Sequence, residues 1–171
     1  MLASLTLVLI LAAALALLLA LASQDLRHRR LPNPWVGAYA LIFPFCAWAL
    51  GLGWTQTGWH VLAALAALLV TSAFFALRWM GGGDVKLWSA LMLWAGPPLG
   101  LQAVLIATMA GGLLGILSWF AQWRLRRLPR PLFRRLWRLL TAERGVPYGV
   151  GLALAGMYVL YVYVLTTLRL H

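Results

Sequence analysis

The chain has 171 residues, of which 64% are hydrophobic and only 10% are charged. This composition excludes an ordinary soluble globular domain and predicts one all-α integral-membrane domain over residues 1–171. The formal net charge of +11 would suit a nucleic-acid partner, but the arginines fall between apolar runs and no nucleic-acid motif accompanies them. We therefore expect membrane lipids, and no nucleic acid, to contact the basic residues.

The apolar runs predict six transmembrane helices. The first covers residues 2–22, and we interpret it as a retained helix because the basic residues follow it instead of preceding it. The others cover about residues 35–52, 59–77, 84–96, 99–123 and 146–168. The fourth would be only about 20 Å long in a hydrocarbon core of about 30 Å. Its glycine-rich end, with Asp84, is expected to be recessed in the membrane.

A basic block between the fifth and sixth runs predicts a helix of a different kind. Residues 124–144 carry eight arginines, and residues 132–140 place leucines at helical spacing on one side. Arg134, Arg135 and Arg138 occupy the other side. This pattern predicts an amphipathic helix on the membrane surface that binds anionic headgroups through the three arginines.

The distribution of positive charge predicts the orientation. In a six-span count the basic loops after the first and fifth helices lie on the same side, together with Arg78 and Lys86. The positive-inside rule makes that side cytoplasmic. We therefore expect a multi-pass membrane protein with both termini on the outer side.

Acidic residues are scarce, which directs attention to the few present. The chain contains only Asp25, Asp84 and Glu143. Asp25 follows the first apolar run and Asp84 begins the fourth, so both are expected at the cytoplasmic side, where they could meet. Ionisable groups near membrane depth are costly and are usually functional. Two adjacent carboxylates that share one proton could activate a water molecule and protonate a leaving group, as in aspartic peptidases.

Several alternatives remain open from the residues alone. Gly81 to Gly83 could admit a peptide backbone, or they could form a tight turn in which Asp84 caps the next helix. Asp25 could pair with Arg27 or Arg29, and Lys86 could favour an ionised carboxylate or extend to the interface. The acid pair could also serve a transporter or proton relay, and a non-catalytic scaffold would not need it. We expect no metal and no cofactor, because histidine and cysteine lack ligand spacing.

Three segments resemble one family. Residues 25–33, DLRHRRLPN, resemble the D-x-R-x-x-x-I-P-N segment of type IV prepilin leader peptidases, with Leu31 in place of isoleucine. Residues 81–87, GGGDVKL, resemble their GxGD motif and its continuation, and residues 146–151 resemble the Pro-Tyr-Gly opening of their last helix. The resemblance implies that Asp25 and Asp84 are the catalytic pair, with Gly81, Gly83 and Lys86 in support.

The resemblance also implies a reaction. Members are membrane aspartic endopeptidases that remove the short basic leader of prepilin and pseudopilin precursors at the cytoplasmic face, cleaving after a glycine. Longer members carry paired CxxC motifs and a methyltransferase activity, which we do not expect here because Cys46 is the single cysteine. The chain resembles the short, peptidase-only branch of tight-adherence (Flp) pilus systems. We expect recognition to rest on the apolar pilin helix, with the leader bent toward the aspartates.

Overall fold

The computed structural model describes residues 2–125 and 148–169, and this part of the chain is helical without strands. Four stretches are long and apolar enough to cross a membrane: Leu5–His28, Trp54–Ala76, Gly82–Phe120 and Tyr148–Thr167. The all-helical class is therefore confirmed for the described residues. The predicted surface helix over residues 132–140, with Arg134, Arg135, Arg138 and Glu143, lies outside them. The five helices are α1 (Leu2–His28), α2 (Asn33–Ala49), α3 (Trp54–Ala76), α4 (Gly82–Leu125) and α5 (Tyr148–Arg169).

The first helix is longer than its apolar run, so the prediction that it ends near residue 22 is wrong. It continues to His28 and carries Asp25 within its last two turns instead of in a loop. Ser23, the first residue after that run, remains helical, and its hydroxyl donates to the Ala20 carbonyl oxygen at 2.7 Å. The helix ends where Arg29 adopts a left-handed conformation with φ of 52°. Hydropathy marks where apolar residues stop, whereas backbone geometry decides where a helix stops.

The start of α3 differs from prediction for a similar reason. Residues 54–58, expected in a turn, are helical, and Trp54 is the first residue of α3. The helix is capped at Gly53, whose N–H donates to the Gln56 side-chain oxygen at 3.2 Å. A side-chain oxygen that returns to the cap residue satisfies an N–H that would otherwise lack a partner, so the glycines and polar residues here begin the helix.

The Gly-Pro-Pro break is confined to one residue. Only Gly96 departs from helical geometry, with φ of 56° and ψ of −169°. Pro97 and Pro98 have no N–H to donate to the carbonyl groups of Leu93 and Trp94, four residues earlier. The His60 Nδ1 of α3 donates to the Leu93 carbonyl oxygen at 2.8 Å. The Tyr163 hydroxyl of α5 donates to the Trp94 carbonyl oxygen at 2.6 Å. The neighbouring helices thus supply the two hydrogen bonds that the prolines cannot make.

The break folds α4 back on itself. Cβ atoms placed on Gly83 and on Gly149 would lie 3.0 and 3.1 Å from Leu31, and one on Gly111 would lie 3.1 Å from the Tyr148 ring. Residues 83 and 111 therefore lie at the same end of the molecule, although a straight helix would separate them by about 40 Å. The first half of α4, residues 82–95, runs toward Gly96 and the second half, residues 97–125, returns beside it.

The core surrounds Trp94, which is fully buried. Its ring stacks on Tyr39 of α2 at a centroid distance of 5.2 Å, and Phe43 approaches it edge-on at 5.7 Å. The indole N–H donates to the Tyr39 carbonyl oxygen at 3.0 Å. Large apolar side chains on α3 and on the second half of α4 remain exposed, including Leu69, Leu101 and Met109. Such surfaces suit contact with lipid rather than water.

Removing the Tyr163 hydroxyl tests the hydrogen bonds at the break. Tyr163→Phe is expected to destabilise the protein by about 1–2 kcal/mol. The Trp94 carbonyl oxygen has no proline N–H to accept from, and the substitution would also remove the Tyr163 hydroxyl that donates to it. The measurement is the unfolding temperature of the purified protein in detergent. Tyr161→Phe is the matched control, since that side chain is exposed on the same helix. Equal unfolding temperatures for the two variants would show that the Tyr163 hydrogen bond contributes nothing.

Candidate active site

A cavity of about 760 Å³ opens at the end of the molecule where α1 ends and α4 begins. It contains Asp25 and Asp84, the two acidic residues of the described chain. Arginine and asparagine line it on the α1–α2 side, and aromatic and glycine residues line it on the α3–α4 side. The lining residues are Asp25, Arg29, Arg30, Leu31, Asn33, Phe74, Trp79, Met80, Gly81, Gly82, Gly83, Asp84 and Tyr148.

Asp25 connects the end of α1 to the beginning of α5. Its carboxylate accepts hydrogen bonds from the backbone N–H groups of Gly149 and Val150, in the first turn of α5. The first N–H groups of a helix have no partner within the helix and carry partial positive charge, so a carboxylate is a favourable acceptor there. The side chain is only 5% exposed, and its Oδ2 makes no hydrogen bond within the described chain. One oxygen therefore keeps its lone pairs for another donor.

Arg29 supplies the positive charge beside Asp25. Burial lowers the pKa of the Arg29 guanidinium, while attraction to the Asp25 carboxylate opposes that change. Because arginine stays charged in proteins, the carboxylate has a permanent cation near it. Of the two arginines that sequence reasoning offered, Arg29 lines the cavity and acts on Asp25, whereas Arg27 is exposed.

Asp84 is the third residue of α4 and faces the same cavity. Its carboxylate accepts a hydrogen bond from the Gly81 N–H, and the Gly81 carbonyl accepts one from Val85 at 3.2 Å. This is the carboxylate half of a capping box, so Asp84 caps the helix from its third position, whereas Gly82 and Gly83, expected in a tight turn, are already helical. The carboxylate also repels that of Asp25 electrostatically, so the two groups lie within interaction range of each other. Helix capping orients Asp84 without removing it from the cavity.

Of the three residues predicted to support the pair, the structure places two in the cavity and one outside it. Gly81 and Gly83 line the cavity, the first as the donor to Asp84 and the second against Leu31. Lys86 does not line it. Its Nζ donates to the Asn33 side-chain oxygen at 3.0 Å and so links α4 to the first residue of α2. Any effect of Lys86 on the cavity therefore acts through Asn33, which is a lining residue.

Sequence reasoning missed several residues of the cavity. Leu31 lies between Gly83 and Gly149, and Tyr148 lies against Gly111. Both fall inside segments that resemble family motifs, so a signal for them was present. No sequence signal pointed to Phe74, Trp79 or Met80, which reach the cavity because of the way α3 ends. Within residues 2–125 and 148–169, no group of three or more His, Cys, Asp or Glu could hold a metal ion.

The apolar helices and the two carboxylates in one terminal cavity define an integral-membrane protein with an acid-pair site. Residues 6–116 match the type IV leader peptidase family, and this stretch includes Asp25 and Asp84. The match covers more than half of the chain, which therefore belongs to that family, and the membership implies peptidase activity. Searches of curated proteins and of solved structures find no significant match.

The close approach of Gly149 to Asp25 gives a test of the site geometry. A Cβ atom on Gly149 would lie 2.9 Å from Asp25 Oδ2 and 3.1 Å from Leu31. Gly149→Ala is therefore expected to displace the carboxylate and lower peptidase activity about a hundredfold, because misplacing a reacting group by about 1 Å can cost that much. The control is Gly37→Ala, where the same methyl group meets open space. Activity of Gly149→Ala within threefold of the control would contradict the placement of Asp25.

Proposed function

We propose that this protein is an aspartic endopeptidase that cleaves the short basic leader from prepilin or pseudopilin precursors at the cytoplasmic face of the bacterial inner membrane. The observation that carries the proposal is the presence of Asp25 and Asp84 in one cavity, although 59 positions separate them in the sequence (84 − 25). Family membership supports peptide-bond cleavage, and the motif resemblance supports the choice of substrate.

The proposed reaction uses the two carboxyl groups and one water molecule. The ionised carboxylate takes a proton from the water as its oxygen attacks the scissile carbonyl carbon, and the protonated partner hydrogen-bonds the developing oxyanion. The carbon–nitrogen bond then breaks as a carboxyl group gives a proton to the leaving amine. The pair titrates as one unit, so the reaction is written for the pair rather than for an assigned acid and base.

The surroundings of the pair fit this chemistry. Hydrogen bonds from Gly149 and Val150 orient one carboxylate, and one from Gly81 orients the other. Because the carboxylates are already held in place, they need little reorganisation when charge develops in the transition state. Room for an extended peptide comes from the cavity volume of about 760 Å³, because Asp84, Phe75 and Leu31 already fill the space beside Gly81, Gly82 and Gly83.

The proposed topology has six crossings, with both termini outside and the cavity on the cytoplasmic side. It counts α2 and each half of α4 as separate crossings, which the reversal at Gly96 supports. Arg27, Arg29, Arg30, Arg78 and Lys86 cluster at the cavity end of their helices, as expected for a cytoplasmic surface. We further propose that Arg134, Arg135 and Arg138 bind anionic lipid headgroups, and that a chain with one cysteine acts as a peptidase without methyltransferase activity.

The test is to coexpress a candidate prepilin with the protein, follow leader removal on a gel, and determine the new N-terminus by mass spectrometry. The expected result is a single cut after a glycine at the end of the basic leader, and no cut when both aspartates are replaced by asparagine. A prepilin that keeps its leader, although enzyme and substrate both accumulate in the membrane, would contradict the proposal.

A further inference from the structure

One wall of the catalytic cavity is aromatic and apolar. Phe74, Trp79 and Met80 form it, and we call these three residues the aromatic wall. The charged lining residues are the two aspartates together with Arg29 and Arg30 on the α1–α2 side. The cavity is therefore aromatic where α3 ends and basic where α1 ends, and the two carboxylates line the same cavity.

Trp79 owes its position to the way α3 ends. The Trp79 N–H donates to the Phe74 carbonyl oxygen at 2.9 Å, and the Arg78 N–H donates to that of Phe75 at 2.9 Å. These two bonds, together with a left-handed residue just after the helix, form a Schellman motif. The left-handed residue is Arg78, with φ of 60°. Glycine usually occupies this position because other residues adopt the conformation at an energetic cost.

The motif holds Trp79 in place although little of it is buried. Its ring stacks on Phe74 at a centroid distance of 5.9 Å and an angle of 21°, which covers one face. The side chain nevertheless remains 76% exposed. An indole that is oriented but hardly buried contributes little to the core. Tryptophan at an interface often anchors a helix to the membrane, but an anchor does not need to line a catalytic cavity.

We propose that the aromatic wall binds the apolar side chain that directly follows the scissile bond, which makes Trp79 a specificity-determining residue. This inference rests on the proposed function, in which one side of the cut is a basic leader and the other an apolar helix. The wall itself carries no charge, and Arg29 and Arg30 balance the two aspartates, so the cavity offers a cation no net attraction. The apolar side of the substrate therefore fits the wall, and the scissile peptide lies over the carboxylates.

The test compares two substrates that differ only in the residue after the scissile bond, phenylalanine or alanine, and a third whose leader lysines are replaced by glutamine. The enzymes are the wild type, Trp79→Ala, Trp79→Phe and Trp54→Ala, each in detergent micelles. Trp54 is the matched control because it is a 94% exposed tryptophan at the opposite end of α3. The measured quantity is kcat/KM for each substrate.

Trp79→Ala is expected to lower kcat/KM about tenfold on the phenylalanine substrate, and less than about twofold on the alanine substrate, because the lost contact is with the larger side chain. Trp79→Phe should recover most of the loss, and Trp54→Ala should match the wild type. The ratio between two substrates measured on one preparation does not depend on how much of the enzyme is folded. The comparison therefore holds even if Trp79→Ala accumulates poorly.

Three outcomes would overturn the inference: no loss in Trp79→Ala, an equal loss on the phenylalanine and alanine substrates, or a loss that disappears when the leader lysines are removed. The last would indicate that Trp79 binds the basic leader through its ring face. Failure of the proposed function is a separate result, since the wild type itself would then cleave none of the three substrates.

Discussion

Asp25→Asn and Asp84→Asn are each expected to lower the rate of leader cleavage by at least about a thousandfold. An amide can neither take a proton from water nor return one to the leaving amine, and general acid–base catalysis alone contributes about 10²–10⁴. The double variant is expected to cleave at a rate within about threefold of either single variant. Groups that act as a unit lose their full effect when one is removed, so the second substitution has little left to remove.

The substitutions are suited to the test because they preserve shape. The asparagine side-chain oxygen can still accept hydrogen bonds from the Gly149 and Val150 amides, or from the Gly81 amide. Unfolding temperatures in detergent should therefore change little, so a lost rate reports chemistry. Glu143→Gln, at the third acidic residue of the chain, is the control and should cleave normally. Retention of a tenth of the wild-type rate by either aspartate variant would rule out a catalytic pair.

Gly96→Ala is expected to have the largest effect on stability, a loss of about 3–5 kcal/mol or failure to accumulate. The φ of 56° and ψ of −169° at Gly96 lie in a region that residues with a Cβ rarely enter. An added Cβ would also overlap the His60 ring, which cannot withdraw without releasing the Leu93 carbonyl. Backbone strain and steric overlap thus act together at this residue.

The matched control for this prediction lies on the same helix. Gly112→Ala adds the same methyl group at a helical position where it meets open space, and it should be neutral or slightly stabilising. The measurements are accumulation in the membrane and unfolding temperature in detergent. A Gly96→Ala protein as stable as Gly112→Ala would show that the chain does not need this backbone geometry, and the reversal of α4 would lose its explanation.

The hydropathy pattern predicted the all-helical class of the described residues, but not where the helices end. Apolar runs report where lipid contact is favourable. The predicted first helix is therefore too short, because the last polar turns of α1 were interpreted as a loop. They also treated Gly96, Pro97 and Pro98 as one break, since a one-dimensional pattern cannot represent hydrogen bonds from other helices. The bonds from His60 and Tyr163 replace those the prolines lack and confine the break to Gly96.

The candidate catalytic pair was predictable because acidic residues are costly in an apolar chain, and only three occur in this one. Its supporting residues were less predictable. Lys86, two positions after Asp84, is bonded to Asn33 and does not line the cavity, whereas Gly149 lies against Asp25 from the far end of the chain. Helical periodicity turns a side chain two positions away by about 200°, so nearness in sequence did not place Lys86 beside the carboxylate.

The sequence by itself determined that this is a helical membrane protein and that Asp25 and Asp84 are its candidate acid pair, because hydropathy and charge cost depend on residue type alone. Only the tertiary structure decided which groups surround them. The reversal at Gly96 returns the second half of α4 to the cavity end, where the first N–H groups of α5 bind Asp25. The Schellman motif after α3 turns Trp79 toward the same cavity. Both depend on backbone geometry and on contacts between distant helices, which residue types do not specify locally.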